Sequence, residues 1–204
     1  MTNEEIWNHD LIKILEEELK DEFPRIKIFK GKVLKDIFLN KDKDSKKGKI
    51  QFGFVDQDIV FYEDEMDISE LNNIENILVH NNNVGNKNQM IIPKLICELK
   101  YNGINSHGLI TYSEIASDIK SIFPECRYWL VMRFRKSSTE NKLKRHGKNF
   151  NKIIFFDEGK SEGKYTSGDF KKQLNQQAEL KIRFSEFLKE IKMILGQKET
   201  FFVK

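Results

Sequence analysis

Two charged residues, Glu98 and Lys100, stand inside the most apolar strand-like segment of the sequence, Met90 to Tyr101 (MIIPKLICELKY). An unpaired charge in such a position costs several kcal/mol, so these residues need a partner or a function. Side chains two residues apart in a strand point to the same face. The spacing therefore predicts a paired carboxylate and ammonium on one face, with Cys97 in the core on the other.

Two aspartates stand in a second strand-like segment, Ile50 to Tyr62 (IQFGFVDQDIVFY). Asp56 and Asp58 continue the alternation of the two preceding phenylalanines, so we expect both carboxylates on the face that meets the Glu98 strand. Hard cations such as Mg²⁺ prefer oxygen ligands. Asp58 and Glu98, helped by a strand carbonyl such as that of Leu99, are predicted to hold Mg²⁺ or Mn²⁺, and Asp56 is an alternative ligand.

This set of groups suits metal-assisted hydrolysis of a phosphodiester. A divalent ion held by two carboxylates keeps positions open for water and a phosphate oxygen. The Lys100 ammonium would orient the attacking water or help to deprotonate it, and would offset the charge that builds on the phosphorane. The pattern E-x-K alone carries little information, because it occurs seven times in this chain. The copy at Glu98 is the one inside an apolar strand.

The remaining patterns predict the elements that hold these residues. Apolar residues at helical spacing predict helices over Ile6 to Phe23, Ile110 to Phe123 and Phe170 to Leu195. Runs rich in β-branched and aromatic residues predict strands over Arg25 to Phe29, Ile50 to Tyr62, Met90 to Tyr101, Tyr128 to Phe134 and Lys152 to Phe156. The basic segments 41–49 and 135–152 are predicted to be loops.

This order of elements predicts an α/β fold with a mixed central sheet flanked by helices. The two acidic strands are expected to be antiparallel neighbours, and the helix from Ile110 is expected to cross over to a parallel strand at Tyr128. A chain of 204 residues fits a single domain over 1–204. Its core would span about 6–156, with an excursion at 63–90 and a C-terminal helix at 169–195.

The charges are strongly segregated, although 35 basic and 32 acidic residues give a net charge of only +3. Residues 27–49 hold nine Lys and three Asp, residues 133–152 hold eight Lys or Arg and one Glu, and residues 56–79 hold eight acids and no Lys or Arg. Basic residues on either side of an acidic centre are typical of a cleft that binds nucleic acid. The candidate contacts to nucleic acid are Lys30, Lys32, Lys47, His107, Arg133, Arg135, Lys144, Arg145 and Lys148.

Several other classes of protein are disfavoured. We find no apolar run of membrane-spanning length and no signal-peptide pattern at the N-terminus, so we expect a soluble, cytoplasmic protein. Two cysteines cannot build a disulfide framework, and four scattered histidines lack zinc-ligand spacing. The sequence also lacks a phosphate-binding glycine loop and a nucleophile elbow.

Two sequence motifs, with the helix and strand that follow them, resemble those of the PD-(D/E)XK nuclease superfamily, which includes most type II restriction endonucleases. The motifs are Asp58-Ile-Val-Phe-Tyr and Leu95-Ile-Cys-Glu-Leu-Lys-Tyr, and a helix and the strand at Trp129 follow them. Together these features cover about residues 50–134. The resemblance implies a restriction-endonuclease-like αβββαβ core. It also implies a divalent metal held by Asp58 and Glu98.

The same resemblance makes Lys100 the catalytic lysine and allows a further metal ligand from the first helix, for which Glu17 or Glu18 is the candidate. This chain departs from the family pattern because no proline precedes Asp56 or Asp58. The interval from these aspartates to Glu98 is also longer than a plain hairpin gives.

The function implied is that of a Mg²⁺-dependent endonuclease of the type II restriction kind, which cuts duplex DNA and leaves 5′-phosphates. Cutting both strands with one site per chain suggests a homodimer. A structure-specific repair or recombination nuclease, or an RNA endonuclease, of the same superfamily is the alternative. From another class, the chain could be a non-catalytic nucleic-acid-binding or interaction module in which Glu98 and Lys100 merely pair.

Overall fold

A computed structural model of the chain describes residues 1–41, 48–63, 91–135, 138–159 and 163–197, without the side chains of 40–41 and 48–51. The helices are α1 Asn3–Leu19, α2 Ser106–Ile122, α3 Glu140–His146, α4 Asp169–Gln176 and α5 Ala178–Leu195. The strands are β1 Ile26–Lys41, β2 Gly48–Glu63, β3 Pro93–Lys100, β4 Arg127–Phe134 and β5 Lys152–Asp157. Lys47 and, apart from Glu63, the predicted excursion at 63–90 lie outside the described residues.

The five strands form one mixed sheet in the order β1-β2-β3-β4-β5. β1 pairs with β2 and β2 with β3 in antiparallel fashion, whereas β3 with β4 and β4 with β5 are parallel pairs. Helix α2 makes the crossover between the parallel strands β3 and β4. The predicted α/β class, the antiparallel pairing of the two acidic strands and the crossover are therefore confirmed. The element order from α1 to β4 is αβββαβ, as the resemblance implied.

Apolar side chains cover both faces of this sheet. On one face, α1, α4 and α5 contribute Trp7, Phe170 and Phe187 to a core that also contains Cys97 of β3. On the other face, α2 and α3 pack on the alternate residues of β3 and β4. Because both faces are covered, β3 is buried almost throughout. A charged side chain on β3 is therefore held within the protein.

The sequence predicted some element boundaries wrongly. The segment expected to be a loop at 135–152 contains α3, which the Thr139 side chain caps. The predicted C-terminal helix is divided into α4 and α5 because Gln177 has an extended backbone conformation. α2 begins earlier than predicted, because the Asn105 side chain accepts a hydrogen bond from the Gly108 N–H at 2.7 Å and caps its first turn. In the described part of the chain, the helices are too short or too polar to cross a membrane.

Candidate active site

A β-bulge in β2 turns the Asp58 side chain out of the regular alternation of the strand. The β1–β2 register runs through the pairs Phe29–Val60 and Gly31–Gln57, so Asp58 and Ile59 both lie opposite Lys30. A bulge of this kind redirects side chains and increases the local twist.

The bulge breaks the alternation of β2 between Gln57 and Val60. Gln57 accepts a hydrogen bond from the Tyr128 hydroxyl on the α2 side of the sheet, and Val60, three residues later, packs on that same side. Asp56 is exposed, whereas Asp58 is partly buried. Asp58, and not Asp56, is turned towards β3.

Within the described ranges, three donors surround the Asp58 carboxylate. Its Oδ2 atom accepts a hydrogen bond from the Leu99 N–H at 3.0 Å, and its Oδ1 atom accepts one from Asn8 Nδ2 at 3.1 Å. The Lys30 ammonium lies 3.5 Å from Oδ1. The Leu99 contact ties the bulge of β2 to β3, just past the last backbone pair of the two strands, Ile59–Cys97.

The Leu99 carbonyl belongs to the same gap between the strands. The N–H and C=O groups of one strand residue point to the same neighbouring strand. Since the Leu99 N–H reaches Asp58 on β2, the Leu99 carbonyl also faces β2. The carboxylate of Asp58 and this backbone oxygen thus lie on one side of β3, as two ligands of one metal ion must.

Glu98 and Lys100 form an ion pair on the α2 side of β3. Glu98 Oε1 lies 2.8 Å from Lys100 Nζ, and the two side chains are only 5% and 17% exposed. Burial raises the pKa of the Glu98 carboxyl to about 7. The positive charge of Lys100 lowers this pKa and the negative charge of Asp58 raises it, but burial has the largest effect. A cation bound beside Glu98 and Asp58 would relieve this unfavourable burial of two acids.

The Lys100 ammonium stays charged. Burial by itself lowers the pKa of Lys100, but the Glu98 and Glu4 carboxylates outweigh burial and raise the pKa above its ordinary value. Lys100 Nζ also lies 4.6 Å from the centre of the Tyr112 ring, a cation–π distance. A lysine with a raised pKa serves as a positive charge and a hydrogen-bond donor, and serves poorly as a base.

The first helix reaches this site with its N-terminal turns. Glu4 Oε1 lies 3.4 Å from Lys100 Nζ, and Glu4 Oε2 accepts a hydrogen bond from the Tyr101 N–H at 3.0 Å. Asn8, one turn later on the same face, bonds Asp58. Neither Glu4 nor Asn8 was predicted from the sequence. The sequence feature that could have indicated Asn8 is a polar residue beside the apolar helical stripe of Trp7 and Leu11.

The prediction of Glu17 or Glu18 as the helical acid is wrong. Glu18 is exposed and stands fourteen residues after Glu4, which corresponds to about 21 Å along the helix axis. Glu17 forms an ion pair with Lys171 of α4 at 2.7 Å. The acid that α1 brings to the site is Glu4.

Tyr112 of α2 also belongs to the site. Its ring is half-buried beneath Lys100, and burial together with the Glu98 charge raises the pKa of its hydroxyl. Tyr112 thus covers the ion pair from the helix side.

The donors around Asp58 and Glu98 fit a hard divalent cation. Among the described residues there is no group of three acidic, histidine or cysteine side chains arranged to hold a metal. The ligands available to a metal there would be the two carboxylates and the Leu99 carbonyl, all of them oxygen ligands. The Asn8 Oδ1 atom adds to this fit, because it is buried and has no hydrogen-bond partner in the described part of the chain.

The predicted nucleic-acid contacts divide into three groups. Exposed residues are Lys30 beside Asp58, Lys32 further along β1, His107 in the first turn of α2, and Lys144, Arg145 and Lys148 on and after α3. Arg135 is only 22% exposed and is held by the Ser138 carbonyl and by Glu158. Arg133 is buried. α3 follows the carboxyl end of β4, and the segment after it returns to the start of β4, where the Asn151 N–H bonds the Tyr128 carbonyl at 2.8 Å.

Arg133 is a structural residue, and its prediction as a nucleic-acid contact is wrong. Its side chain is 2% exposed, its Nη2 atom donates to Gln173 Oε1 at 2.7 Å, and its guanidinium stacks on the Phe134 ring at 4.3 Å. The guanidinium is enclosed beneath α4, and this burial lowers the pKa of Arg133. Arg133 was predicted to be exposed because it lies near the end of β4, but α4 covers that face of the strand.

Comparisons with known proteins give a similarity at the level of structure. No protein-family model matches the sequence, and no curated protein matches it. The structure of the native BbvCI A2B2 tetramer, determined at low resolution, is similar with a TM-score of 0.42 and 14% sequence identity over 78% of this chain. The match spans 59% of the BbvCI chain. We therefore infer the function of this protein from its own side-chain geometry.

Proposed function

We propose that this protein is a divalent-metal-dependent endonuclease of the PD-(D/E)XK type that hydrolyses phosphodiester bonds of duplex DNA. The observation that carries the proposal is that the N–H of Leu99, the residue between Glu98 and Lys100, holds the Asp58 carboxylate at the point where β2 and β3 separate. Here a second carboxylate, Asp58, is bound to the residue between Glu98 and Lys100, and its charge adds to the rise in the pKa of Glu98.

In this proposal Asp58, Glu98 and the Leu99 carbonyl hold Mg²⁺ or Mn²⁺. When bound, the metal supplies Lewis-acid polarisation of a phosphate oxygen and acidifies water. Lys100 orients the attacking water and offsets negative charge on the phosphorane, while Glu4 and Tyr112 keep its ammonium in position. The water oxygen forms a bond to phosphorus as the bond to the 3′-oxygen breaks. A proton then passes to that oxygen, leaving a 5′-phosphate and a 3′-hydroxyl.

The exposed cations on β1 and around α3 would bind the nucleic-acid backbone. Lys30 and Lys32 on β1, and Lys144, Arg145 and Lys148 around α3, are exposed on separate elements. Phosphate contacts of this kind supply affinity and orientation, not sequence specificity. A site that cuts one strand requires a second copy to cut both, so we propose that the protein acts as a homodimer of the type II restriction kind.

Structure-specific or RNA endonuclease activity at the same metal site is the second candidate, since the basic residues bind either backbone. A non-catalytic binding module is the candidate from a different class. It predicts that Glu98 and Lys100 only stabilise the fold and that divalent ions have no effect.

The test is to incubate the purified chain with duplex plasmid, branched DNA and structured RNA, each with Mg²⁺ and with chelator. Lys100→Met is the matched variant, because methionine keeps the side-chain volume and removes the charge. We expect Mg²⁺-dependent cleavage of plasmid into discrete fragments, lowered at least about a hundredfold in the folded variant. Cleavage of branched DNA or RNA alone would favour the second candidate. No cleavage together with no metal binding by calorimetry would favour the binding module.

A further inference from the structure

Among the residues that the structure describes, Lys30 is the one cation in contact with the proposed metal ligand Asp58. Its side chain is 54% exposed, and its Nζ atom lies 3.5 Å from Asp58 Oδ1. The contact follows from the bulge, because Asp58 and Ile59 together occupy the register position opposite Lys30. The bulge thus directs the carboxylate towards β3 while the ammonium can still reach it from the neighbouring edge strand.

The three groups that contact Asp58 differ in how firmly they are held. The Leu99 N–H belongs to a buried strand, and Asn8 is only 2% exposed within α1. Lys30 is half-exposed, and its 3.5 Å separation is longer than the 2.7–2.9 Å typical of a charge-assisted hydrogen bond. Of these three contacts, the Lys30 contact is therefore the easiest to break.

We infer that Lys30 is the resident counter-ion of Asp58 in the metal-free protein and that a divalent cation must displace it to bind. This inference rests on the proposed metal site. The ammonium neutralises the Asp58 charge, and in doing so it competes with the metal for the same carboxylate. Once displaced, the long side chain remains beside the site with its charge free for a phosphate. Lys30 is thus a positioning residue that sets metal affinity.

The test measures metal binding by the intact chain without nucleic acid, using calorimetric titration with Mn²⁺. Lys30→Met removes the competing charge and is expected to bind Mn²⁺ about fivefold more tightly, which corresponds to about 1 kcal/mol, the upper range for exposed ion pairs. Lys30→Arg keeps the charge and is expected to bind as the wild type does. Lys32→Met is the matched control, because Lys32 is exposed on the same strand opposite Asp56.

Each result separates the role of Lys30 from the metal site itself. Tighter binding in Lys30→Met, with Lys30→Arg and Lys32→Met unchanged, would support the inference. Equal tightening in Lys32→Met would overturn it, because a general charge effect would then suffice. Unchanged affinity in Lys30→Met, with binding abolished by Asp58→Asn, would also overturn it and leave the metal site intact. No Mn²⁺ binding by the folded wild type would overturn both.

Discussion

The Asp58 carboxylate accepts a hydrogen bond from the Leu99 amide at 3.0 Å, across the place where β2 and β3 cease to pair through their backbones. Leu99 stands between Glu98 and Lys100 in sequence. The bond therefore fixes the aspartate of one strand relative to the acid and the lysine of the next. The other oxygen of Asp58 is held by Asn8, so α1 and both strands define the position of a single carboxylate.

Replacing Asp58 by Asn should separate the structural role of this residue from its role as a ligand. The amide oxygen of Asn can still accept the Leu99 hydrogen bond, so we expect little change in the unfolding midpoint. Loss of the carboxylate should abolish detectable Mn²⁺ binding and lower cleavage at least about a hundredfold. Calorimetry and plasmid cleavage measure these effects. Metal binding equal to that of the wild type would contradict the assignment of Asp58 as a ligand.

Glu4 should affect catalysis through Lys100 and leave metal binding unchanged. In Glu4→Gln the amide oxygen can still accept the Tyr101 N–H, but the negative charge 3.4 Å from Lys100 is lost. We expect cleavage to fall about tenfold, in the range seen when a group that positions a catalytic residue is altered, with Mn²⁺ affinity within about twofold of the wild type. Glu18→Gln, on the exposed far end of α1, is the matched control. Equal loss in both variants would show that Glu4 has no special role.

Buried Glu98 should make the metal-free protein less stable as pH rises. Its pKa is raised from 4.5 to about 7, so the folded state binds the proton more tightly than the unfolded state does. The stabilisation is complete below the unfolded pKa and is lost as pH rises through about 7, with a total of about 3 kcal/mol.

Denaturant unfolding in chelator, followed between about pH 5 and about pH 8, tests this dependence. In Glu98→Gln the position no longer titrates, so its unfolding free energy should lack the fall seen in the wild type. The difference between the two proteins cancels the titration of other groups. Identical pH profiles would show that the Glu98 carboxyl has an ordinary pKa in the folded protein.

The basic surface of α3 should contribute to nucleic-acid affinity in a salt-dependent manner. Removing one protein–phosphate interaction lowers the slope of log affinity against log salt by about 0.9 for duplex DNA. We expect the double variant Lys144→Ala and Arg145→Ala to bind duplex DNA more weakly, with a slope reduced by up to about 2.

The control for this experiment removes two cations from α4, Lys171 and Lys172, which belong to the opposite helix layer. That variant has the same change in net charge. Fluorescence anisotropy over a salt series compares the two. If the α4 variant loses as much affinity and slope as the α3 variant, the site of DNA contact is not the α3 surface.

The sequence by itself determined most of the elements and the main chemical pair. The 3.6-residue stripes and the apolar runs predicted the α/β class, and two charges two residues apart inside β3 predicted the Glu98–Lys100 pair, which lies at 2.8 Å. These features are local, because strand alternation and helical spacing depend only on neighbours in sequence. The mixed sheet followed from the order of the elements.

Only the tertiary structure decided which other residues join the pair and which are excluded from the site. The bulge at Asp58 depends on register with β1, and the contacts with Leu99 and Asn8 distinguish Asp58 from the exposed Asp56. Glu4 reaches Lys100, ninety-six residues away, because α1 packs across the sheet. Arg133 is buried because α4 covers it. Such contacts depend on the packing of distant segments, and no periodicity along the chain encodes them.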